Sequence, residues 1–168
     1  MRRPRPEKPG PGQESVWDYP RPPALVESSE TVEVEHGGVL VARTTRSWRV
    51  LETSHPPTYY LPREAFADGV LRPVEGGTFC EWKGQAAYFD VCGGEDRSAV
   101  APRAAWTYPV PTPGFAALAH AVAVTPLAVD RCLVDGEVVT PQEGGFYGGW
   151  VTSKVVGPFK GIPGSWGW

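Results

Sequence analysis

The sequence predicts a mainly β protein in which short antiparallel strands are joined by tight turns. Three observations support this fold class. The 168 residues include 20 glycines and 19 prolines, which interrupt helices and mark turns. Hydrophobic residues make up 41% of the chain and seven residues are tryptophans, so this glycine and proline content indicates turns and not disorder throughout. Short stretches of alternating apolar and polar residues recur between the turns.

We divide the predicted protein into three parts. Residues 1–14 are rich in proline and carry four cationic side chains, which is typical of a disordered basic arm. Residues 15–140 contain the predicted strands and form the β domain. Residues 141–168 place eight glycines among six aromatic side chains. Because glycine allows close backbone approach and aromatic rings supply buried area, we expect this extension to pack on the domain or on the partner in a homodimer.

The first half of the domain is predicted to contain a hairpin and a third strand. Residues 31–36 alternate, the next two glycines supply the turn, and residues 39–43 return. The third strand covers residues 48–53. It leads into the loop 54–61, whose adjacent prolines stiffen the backbone. One helical turn with proline at its first position is expected at residues 62–66.

The stretch 78–91 is predicted to be one extended strand rich in aromatic residues. Side chains alternate between the two faces of a strand, so Trp82 and Lys83 are expected on opposite faces. Both can line one cavity only if a bend or bulge at Gly84 intervenes.

The second half of the domain is predicted to contain one more strand, one helix and one hairpin. The strand covers residues 104–109. Apolar side chains recur at helical spacing over residues 114–122, which predicts the one short helix. An Asp-Gly turn joins residues 128–134 to residues 137–140 in a second tight hairpin.

The charge distribution argues against a nucleic-acid partner. The net charge is −3, and the first twelve residues are net positive, so the remainder of the chain is more acidic than this value. An acidic surface repels phosphate backbones. No apolar run approaches the length that spans a membrane, and the N-terminal segment has no hydrophobic signal, so we expect no membrane partner and a cytoplasmic setting.

The sequence contains none of the common cofactor motifs. Cys80, Cys92 and Cys132 are odd in number and lack Cys-x-x-Cys spacing, which argues against a paired metal site and against a disulfide framework. No Walker-type loop and no strand–Gly-x-Gly-x-x-Gly–helix unit occurs. We therefore predict no metal and no cofactor.

Four side chains are candidates for acid–base chemistry. His55 lies in the proline-stiffened loop close to Glu52, and an imidazole titrates near neutral pH. Tyr60 and Lys83 are the candidate acid or oxyanion partners for a base at Glu52 or His55. Cys80 would be a nucleophile only if a neighbouring cation stabilised its thiolate, and we expect it to be a small core residue.

Five aromatic side chains are candidates for ligand binding. They are Trp17, Tyr59, Trp82, Trp106 and Tyr108. If the sheets converge, aromatic rings, a carboxylate and an ammonium group would line one concavity and bind a small, partly apolar ligand. The alternative is that the indoles fill the core and that Glu52 and Lys83 form a structural ion pair.

Several short motifs taken together are characteristic of a known family. The motifs are Trp17-Asp18-Tyr19-Pro20-Arg21-Pro22-Pro23, Val50-Leu51-Glu52-Thr53, Pro57-Thr58-Tyr59-Tyr60-Leu61-Pro62, Cys80-Glu81-Trp82-Lys83-Gly84, Trp106-Thr107-Tyr108-Pro109 and Val134-Asp135-Gly136-Glu137. In these motifs the chain resembles the bacterial family called domain of unknown function 427, provisionally labelled nucleotidyltransferase-like. The resemblance implies a β-tent fold, in which two antiparallel sheets meet at an angle with a pocket between them. Related tents often hold zinc, but this chain lacks the four ligands.

Three functions follow as hypotheses. The leading one is a small-molecule-binding domain with an aromatic pocket between two sheets. The second is a cofactor-independent acid–base enzyme, such as a cyclase, isomerase or hydrolase, that uses the same pocket. The third is an assembly protein that associates through residues 141–168. We do not adopt nucleotidyl transfer, because that chemistry uses carboxylates that hold magnesium beside a phosphate-binding turn, and the sequence has no Asp-x-Asp pair.

Overall fold

The protein, described over residues 3–168 by a computed structural model, consists mainly of β-strands. The strands are β1 (Glu14–Ser15), β2 (Ala24–Ser28), β3 (Val32–His36), β4 (Val39–Thr44), β5 (Ser47–Leu51), β6 (Thr58–Pro62), β7 (Leu71–Cys80), β8 (Gly84–Gly93), β9 (Ala99–Thr107), β10 (Ala121–Val124), β11 (Arg131–Val134), β12 (Glu137–Val138), β13 (Thr140–Pro141), β14 (Trp150–Val151) and β15 (Val155–Val156). Within residues 3–168, three 3₁₀ helical segments cover Val16–Asp18, Arg63–Ala65 and Pro113–His120.

Two antiparallel sheets dominate the structure. The larger one has seven strands in the order β2-β5-β6-β10-β9-β8-β7, and every neighbouring pair is antiparallel. The smaller one has four strands in the order β12-β11-β3-β4, again antiparallel throughout. The predicted mainly β fold with antiparallel sheets is confirmed. Both predicted hairpins are present, as β3–β4 and as β11–β12.

Apolar side chains from the seven-stranded (large) sheet and the four-stranded (small) sheet pack together in the main core. Val32 and Val34 from β3 are buried there with Val122 and Val124 from β10. Side chains alternate along a strand, so Ala123 lies on the other face of the large sheet. That opposite face carries a second, separate apolar cluster, to which the four-stranded sheet contributes no residue.

The stretch 78–91 is a hairpin, and the prediction of one continuous strand is wrong. β7 ends at Cys80, a turn covers residues 81–83, and β8 begins at Gly84. The backbone of Gly84 has φ of 108°, a conformation that L side chains rarely adopt. Trp82 and Lys83 therefore lie in a tight turn, and strand alternation does not determine where they point.

The predicted short helix at residues 114–122 is a 3₁₀ helix that ends earlier. It covers Pro113–His120, and residues 121 and 122 belong to β10. Phe115 and Leu118 are its buried residues. The backbone is kinked at Phe115, where φ is −121° and ψ is 25°, so the segment consists of two short 3₁₀ turns and not of one regular helix. None of the helices within residues 3–168 has the length and apolarity needed to cross a membrane.

The C-terminal segment, residues 141–168, packs against its own chain. β14 pairs with β13, and β15 pairs in parallel with β1. Trp150 is fully buried, and its Nε1–H donates to the Val124 carbonyl at 3.0 Å. The backbone N–H of Glu7, within the predicted basic arm, donates to the Gly157 carbonyl at 2.8 Å. Met1 and Arg2 of that arm lie outside the described residues, and the division of the chain after residues 14 and 140 stays a prediction.

Candidate functional site

A cavity of about 580 Å³ lies on the face of the large sheet that is turned away from the small sheet. The four acid–base candidates and two of the aromatic candidates line it: Glu52, His55, Tyr60, Lys83, Trp106 and Tyr108. We expected the pocket to lie between the two sheets, and this position is wrong for the cavity. Closely packed valine, alanine and aromatic side chains fill the space between the sheets. Residues far apart in sequence converge on the cavity.

The C-terminal segment supplies the wall of the cavity that faces the sheet. Gly148 lies directly against the ring of Trp106, and a Cβ at this position would overlap the indole. A Cβ on Gly149 would likewise overlap the side chain of Pro56. Because only glycine fits at these two positions without a shift of its neighbours, the segment approaches the sheet closely and forms one wall of the site.

Three aromatic side chains form a connected group at the floor of the cavity. The Trp106 Nε1–H donates to the Tyr60 hydroxyl at 3.1 Å, and the Tyr60 and Tyr108 rings are 6.4 Å apart. Burial raises the pKa of Tyr60 well above its usual value, and the neighbouring Tyr108 adds to the shift. Tyr60 is therefore a neutral hydroxyl at physiological pH, able to donate its proton to an acceptor in a hydrogen bond.

Glu52 and His55 form a polar corner of the cavity. They are the ends of a tight turn in which the His55 N–H donates to the Glu52 carbonyl at 3.0 Å. Ser54 in this turn has φ of 71°, which is unusual for a residue other than glycine. The Glu52 Oε2 lies 3.5 Å from His55 Nε2 and 3.2 Å from the Arg21 Nη2. The turn therefore holds the imidazole beside a carboxylate that is already paired with an arginine.

Gln142 determines the protonation of His55. The Gln142 Oε1 accepts the N–H of Gly149 at 3.2 Å, and its Nε2 donates to the Lys160 carbonyl at 2.8 Å. The same Nε2 lies 3.1 Å from His55 Nδ1, and an amide nitrogen can only donate. Nδ1 is therefore the acceptor, and the ring proton resides on Nε2, which faces Glu52.

The electrostatic environment keeps His55 neutral at physiological pH. Burial lowers the pKa of His55 to about 4, and the nearby cations, of which Lys160 contributes most, add to the shift. The one lone pair of the neutral ring, on Nδ1, already accepts from Gln142, and Nε2 lies 3.5 Å from a Glu52 oxygen. The imidazole thus has no free lone pair with which to act as a base.

Lys83 extends over the ring of Tyr108 from the β7–β8 turn. Its Nζ lies 5.5 Å from the ring centroid, a distance typical of a cation–π contact. Glu52 pairs with Arg21 and not with Lys83, so the alternative of a structural Glu52–Lys83 ion pair is wrong. Within residues 3–168, the Lys83 ammonium makes no salt bridge to a carboxylate.

Tyr59 and Trp17, both predicted to bind ligand, lie outside the cavity. Tyr59 precedes Tyr60 in β6, so alternation places it on the opposite face, where its ring is 5.0 Å from that of Trp150. Trp17 packs with Trp168 in a third apolar cluster, and its Nε1–H donates to the Pro158 carbonyl at 2.9 Å.

Trp82, the third aromatic candidate outside the cavity, lies in the β7–β8 turn. Its side chain packs against the second apolar cluster, and its carbonyl accepts the hydroxyl of Thr112 at 2.5 Å. These contacts hold the turn against the segment before the last 3₁₀ helix. The turn places Lys83 in the cavity lining, whereas the indole stabilises the turn.

Several cavity residues escaped the sequence interpretation. Phe146 and Tyr147 line the cavity, and the Tyr147 ring meets the edge of His55 with centroids 4.8 Å apart. In the sequence, two glycines flank this aromatic pair on each side, a pattern that indicates a segment packed closely against the domain. Arg103 and Lys160 also line the cavity, and no local pattern distinguishes them from surface cations. Cys80, expected in the core, is half-buried at the cavity.

The described residues provide no evident metal centre. Within residues 3–168, no group of three or more histidine, cysteine, aspartate or glutamate side chains is arranged to hold an ion. All three cysteines are free thiols, and burial raises the pKa of the Cys132 thiol.

These features define a mainly β protein with a cavity of about 580 Å³, one wall of which is its C-terminal segment. The chain belongs to the family described as domain of unknown function (DUF427), whose sequence model matches residues 24–135. The family resemblance seen in the sequence motifs is thereby confirmed. No curated protein matches the chain. The matched region contains the sheet, Glu52, His55 and Lys83, but Gln142, Tyr147 and Lys160 lie beyond it.

Proposed function

We propose that this protein binds a small molecule in the cavity on the outer face of its large sheet. The observation that carries the proposal is the convergence of six candidate residues, chosen for their chemistry, on one cavity of about 580 Å³. A volume of roughly 300–1,000 Å³ is typical of sites for small ligands. Aromatic walls with a few directed polar groups are likewise typical of such sites.

The cavity offers each kind of contact that such a ligand needs. Trp106 and Tyr108 provide aromatic surface for stacking. The Glu52 carboxylate and the Lys83 ammonium provide charged groups that orient a polar ligand. Because the β7–β8 turn and the Gln142–His55 contact hold these groups in place, binding requires little reordering of the protein.

A fragment screen by ligand-observed NMR tests this proposal. The library contains flat aromatic compounds of each charge, and the wild type is compared with Glu52→Gln and Lys83→Met. We expect fragments that bind the wild type to lose affinity for at least one of these variants. The matched controls are Glu81→Gln and Lys8→Met. Glu81 lies in the same turn as Lys83 but outside the cavity lining, and Lys8 lies in the exposed arm. An empty screen, or hits that bind all five proteins equally, would contradict the proposal.

One further observation favours an acid–base enzyme as the second candidate. Arg21 and His55 both contact Oε2 of Glu52, whereas Oε1 has no hydrogen-bond partner among residues 3–168. The free oxygen is suited to take a proton from a bound molecule, with Tyr60 or Lys83 as donor to the developing negative charge. In this candidate His55 is a positioning residue and Glu52 is the base.

Hydrogen–deuterium exchange of bound carbonyl fragments distinguishes the enzyme from a binding domain. In D₂O, a base in the site exchanges the C–H hydrogens next to the carbonyl group, and NMR follows the loss of their signal. We expect the wild type to accelerate the exchange and Glu52→Gln to abolish the acceleration. If fragments bind but their exchange is not accelerated, the enzyme candidate is excluded and the protein is a binding domain.

The proposal includes a cytoplasmic setting, which three free thiols within residues 3–168 support. Association through the C-terminal segment is a separate, weaker candidate. It is supported by the exposed rings of Phe146 and Trp166, whose centroids are 6.4 Å apart. Light scattering of the double variant Phe146→Ser/Trp166→Ser tests it, since an unchanged mass would exclude this surface as a dimer interface.

A further inference from the structure

The charge of the cavity is opposite to the charge of the chain. The whole chain has a net charge of −3. The cavity lining contains three cations, Lys83, Arg103 and Lys160, and a single carboxylate, Glu52. Arg21 forms an ion pair with that carboxylate, so the three lining cations are left without a counter-charge from it. A cavity lined by one sign of charge concentrates ligands of the other sign.

The three lining cations also differ from the cations that pair elsewhere in the chain. Arg49, Arg72 and Lys154 each form a salt bridge with a side-chain carboxylate. None of the three cavity cations forms a salt bridge with a side-chain carboxylate among residues 3–168. Two of them have other acceptors, since the Lys160 Nζ donates to the Trp168 main-chain oxygen at 3.3 Å and the Arg103 Nη1 donates to the Glu75 carbonyl at 3.0 Å. The Lys83 ammonium has no hydrogen-bond acceptor among residues 3–168, so its charge is available to an anion from solution.

Each cavity cation lies over an aromatic ring of the same cavity. Lys83 lies 5.5 Å from the Tyr108 centroid and Lys160 lies 5.8 Å from the Tyr147 centroid. The Arg103 guanidinium lies 4.4 Å from the ring of Tyr88. A ligand that satisfies both features has a flat ring for the aromatic walls and a negative group beside it.

We infer that the ligand is a flat aromatic or conjugated carboxylate, bound with its ring against the aromatic walls and its carboxylate on Lys83. This inference rests on the proposed function and specifies the class of molecule that the cavity takes. A carboxylate with one negative charge matches Lys83, the one lining cation whose side chain has no hydrogen-bond acceptor or carboxylate partner among residues 3–168. Lysine binds a carboxylate or a phosphate as a point charge, so the experiment includes a phosphate probe.

Isothermal titration with charge variants of one ring system tests the inference. The probes are naphthoate, its neutral isostere naphthamide and the cation naphthylmethylammonium, with AMP as the phosphate probe. We expect the wild type to bind naphthoate about fivefold to tenfold more tightly than naphthamide. Lys83→Met should remove most of this preference by weakening naphthoate binding much more than naphthamide binding. Lys8→Met is the matched control and should change neither affinity. Added salt should weaken naphthoate binding more than the binding of the neutral naphthamide.

Three outcomes would overturn the inference. Equal binding of naphthoate and naphthamide, or tighter binding of the ammonium probe, excludes an anion site but leaves the small-molecule proposal standing. Tighter binding of AMP than of naphthoate, lost in Lys83→Met, reassigns the site to phosphate esters. If none of the four probes binds, the inference fails. The proposed function fails with it only if the fragment screen is also empty.

Discussion

The two faces of the seven-stranded sheet are built from the same strands but have different surroundings. On the face toward the small sheet, valines and other apolar side chains pack into the main core. On the opposite face, tyrosines, Trp106 and charged groups surround a cavity. Tyr59 and Tyr60 are neighbours in β6, yet each belongs to a different face. Alternation along a strand thus separates a stabilising surface from a binding surface within one sheet.

The charged groups near the two faces differ in the same way. The Tyr59 hydroxyl donates to Glu30 at 2.9 Å, and Glu30 also pairs with Lys154 at 2.5 Å. Glu30 and Lys154 thus have partners within the chain. The cavity side instead leaves Lys83 unpaired with any carboxylate among residues 3–168. Internally paired charges stabilise a fold, whereas unpaired charges in a concave site are available to a ligand.

The largest expected effect belongs to Trp150 in the main core. Trp150→Ala should reduce the free energy of unfolding by about 4 kcal/mol, because a fully buried indole leaves a cavity behind. Its hydrogen bond to the Val124 carbonyl is also lost. Urea unfolding measures the change. Trp166→Ala is the control, since Trp166 is 70% exposed and should change stability by no more than about 0.5 kcal/mol. Similar losses for the two variants would remove the distinction between core and surface indoles.

The next effect concerns the wall of the cavity at Gly148. Gly148→Ala should destabilise the protein by about 2 to 3 kcal/mol, because its Cβ would overlap the indole of Trp106. The intrinsic tryptophan fluorescence should shift with it. Gly114→Ala is the matched control, since a Cβ there meets nothing within 4 Å. A stable Gly148→Ala protein with unchanged fluorescence would mean that the segment does not press on the sheet.

The pH dependence of stability tests the neutral state of His55. The folded pKa of about 4 lies below the unfolded value of 6.5, so the unfolded state binds more protons between these values. Stability from this group is complete above pH 6.5 and is lost as the pH falls toward 4. Between pH 7 and pH 5 the loss should be about 2 kcal/mol.

The measurement is urea unfolding at both pH values. His55→Gln should flatten the difference between them, whereas His120→Gln, at an exposed position, should retain the wild-type pH dependence. An identical pH dependence for the wild type and His55→Gln would contradict a neutral, buried imidazole.

The smallest expected effect compares the two neighbouring tyrosines directly. Tyr59→Phe and Tyr60→Phe should each reduce the free energy of unfolding by about 1 kcal/mol, since each removes one buried hydrogen bond. Only Tyr60→Phe should also change the affinity for fragments, because Tyr60 alone lines the cavity. Titration calorimetry separates the two effects. A change in fragment affinity for Tyr59→Phe would show that the faces are not independent.

Much of the local structure could be predicted from particular residues. The alternation in residues 31–36 followed by two glycines predicts the β3–β4 hairpin, and the Asp-Gly turn predicts β11–β12. The turn at residues 81–83 was missed because no Asn-Gly or Asp-Gly pair marks it, and an aromatic run reads as one strand. The helix at residues 114–122 was predicted too long because three-residue and four-residue spacings overlap over so short a segment.

The acid–base residues of the site could also be predicted from the sequence, but the full set of residues that line the cavity could not. Glu52, His55, Tyr60 and Lys83 could be chosen because their side chains suit proton transfer. The exclusion of Trp17 and Tyr59 depends on which surface each indole or phenol faces after folding. Gln142, which determines the protonation of His55, lies 87 positions away in the chain. No local pattern contains a contact of that separation.

The sequence by itself determined the class of fold, the strands and the two sets of side chains that alternate along them, because these follow from local geometry and turn chemistry. Only the tertiary structure decided which set faces the small sheet and which faces the cavity. It also decided that Gly148 and Lys160, beyond the family region, close the site. The physical reason is that burial depends on which surfaces meet, and surfaces distant in sequence meet only when the whole chain packs.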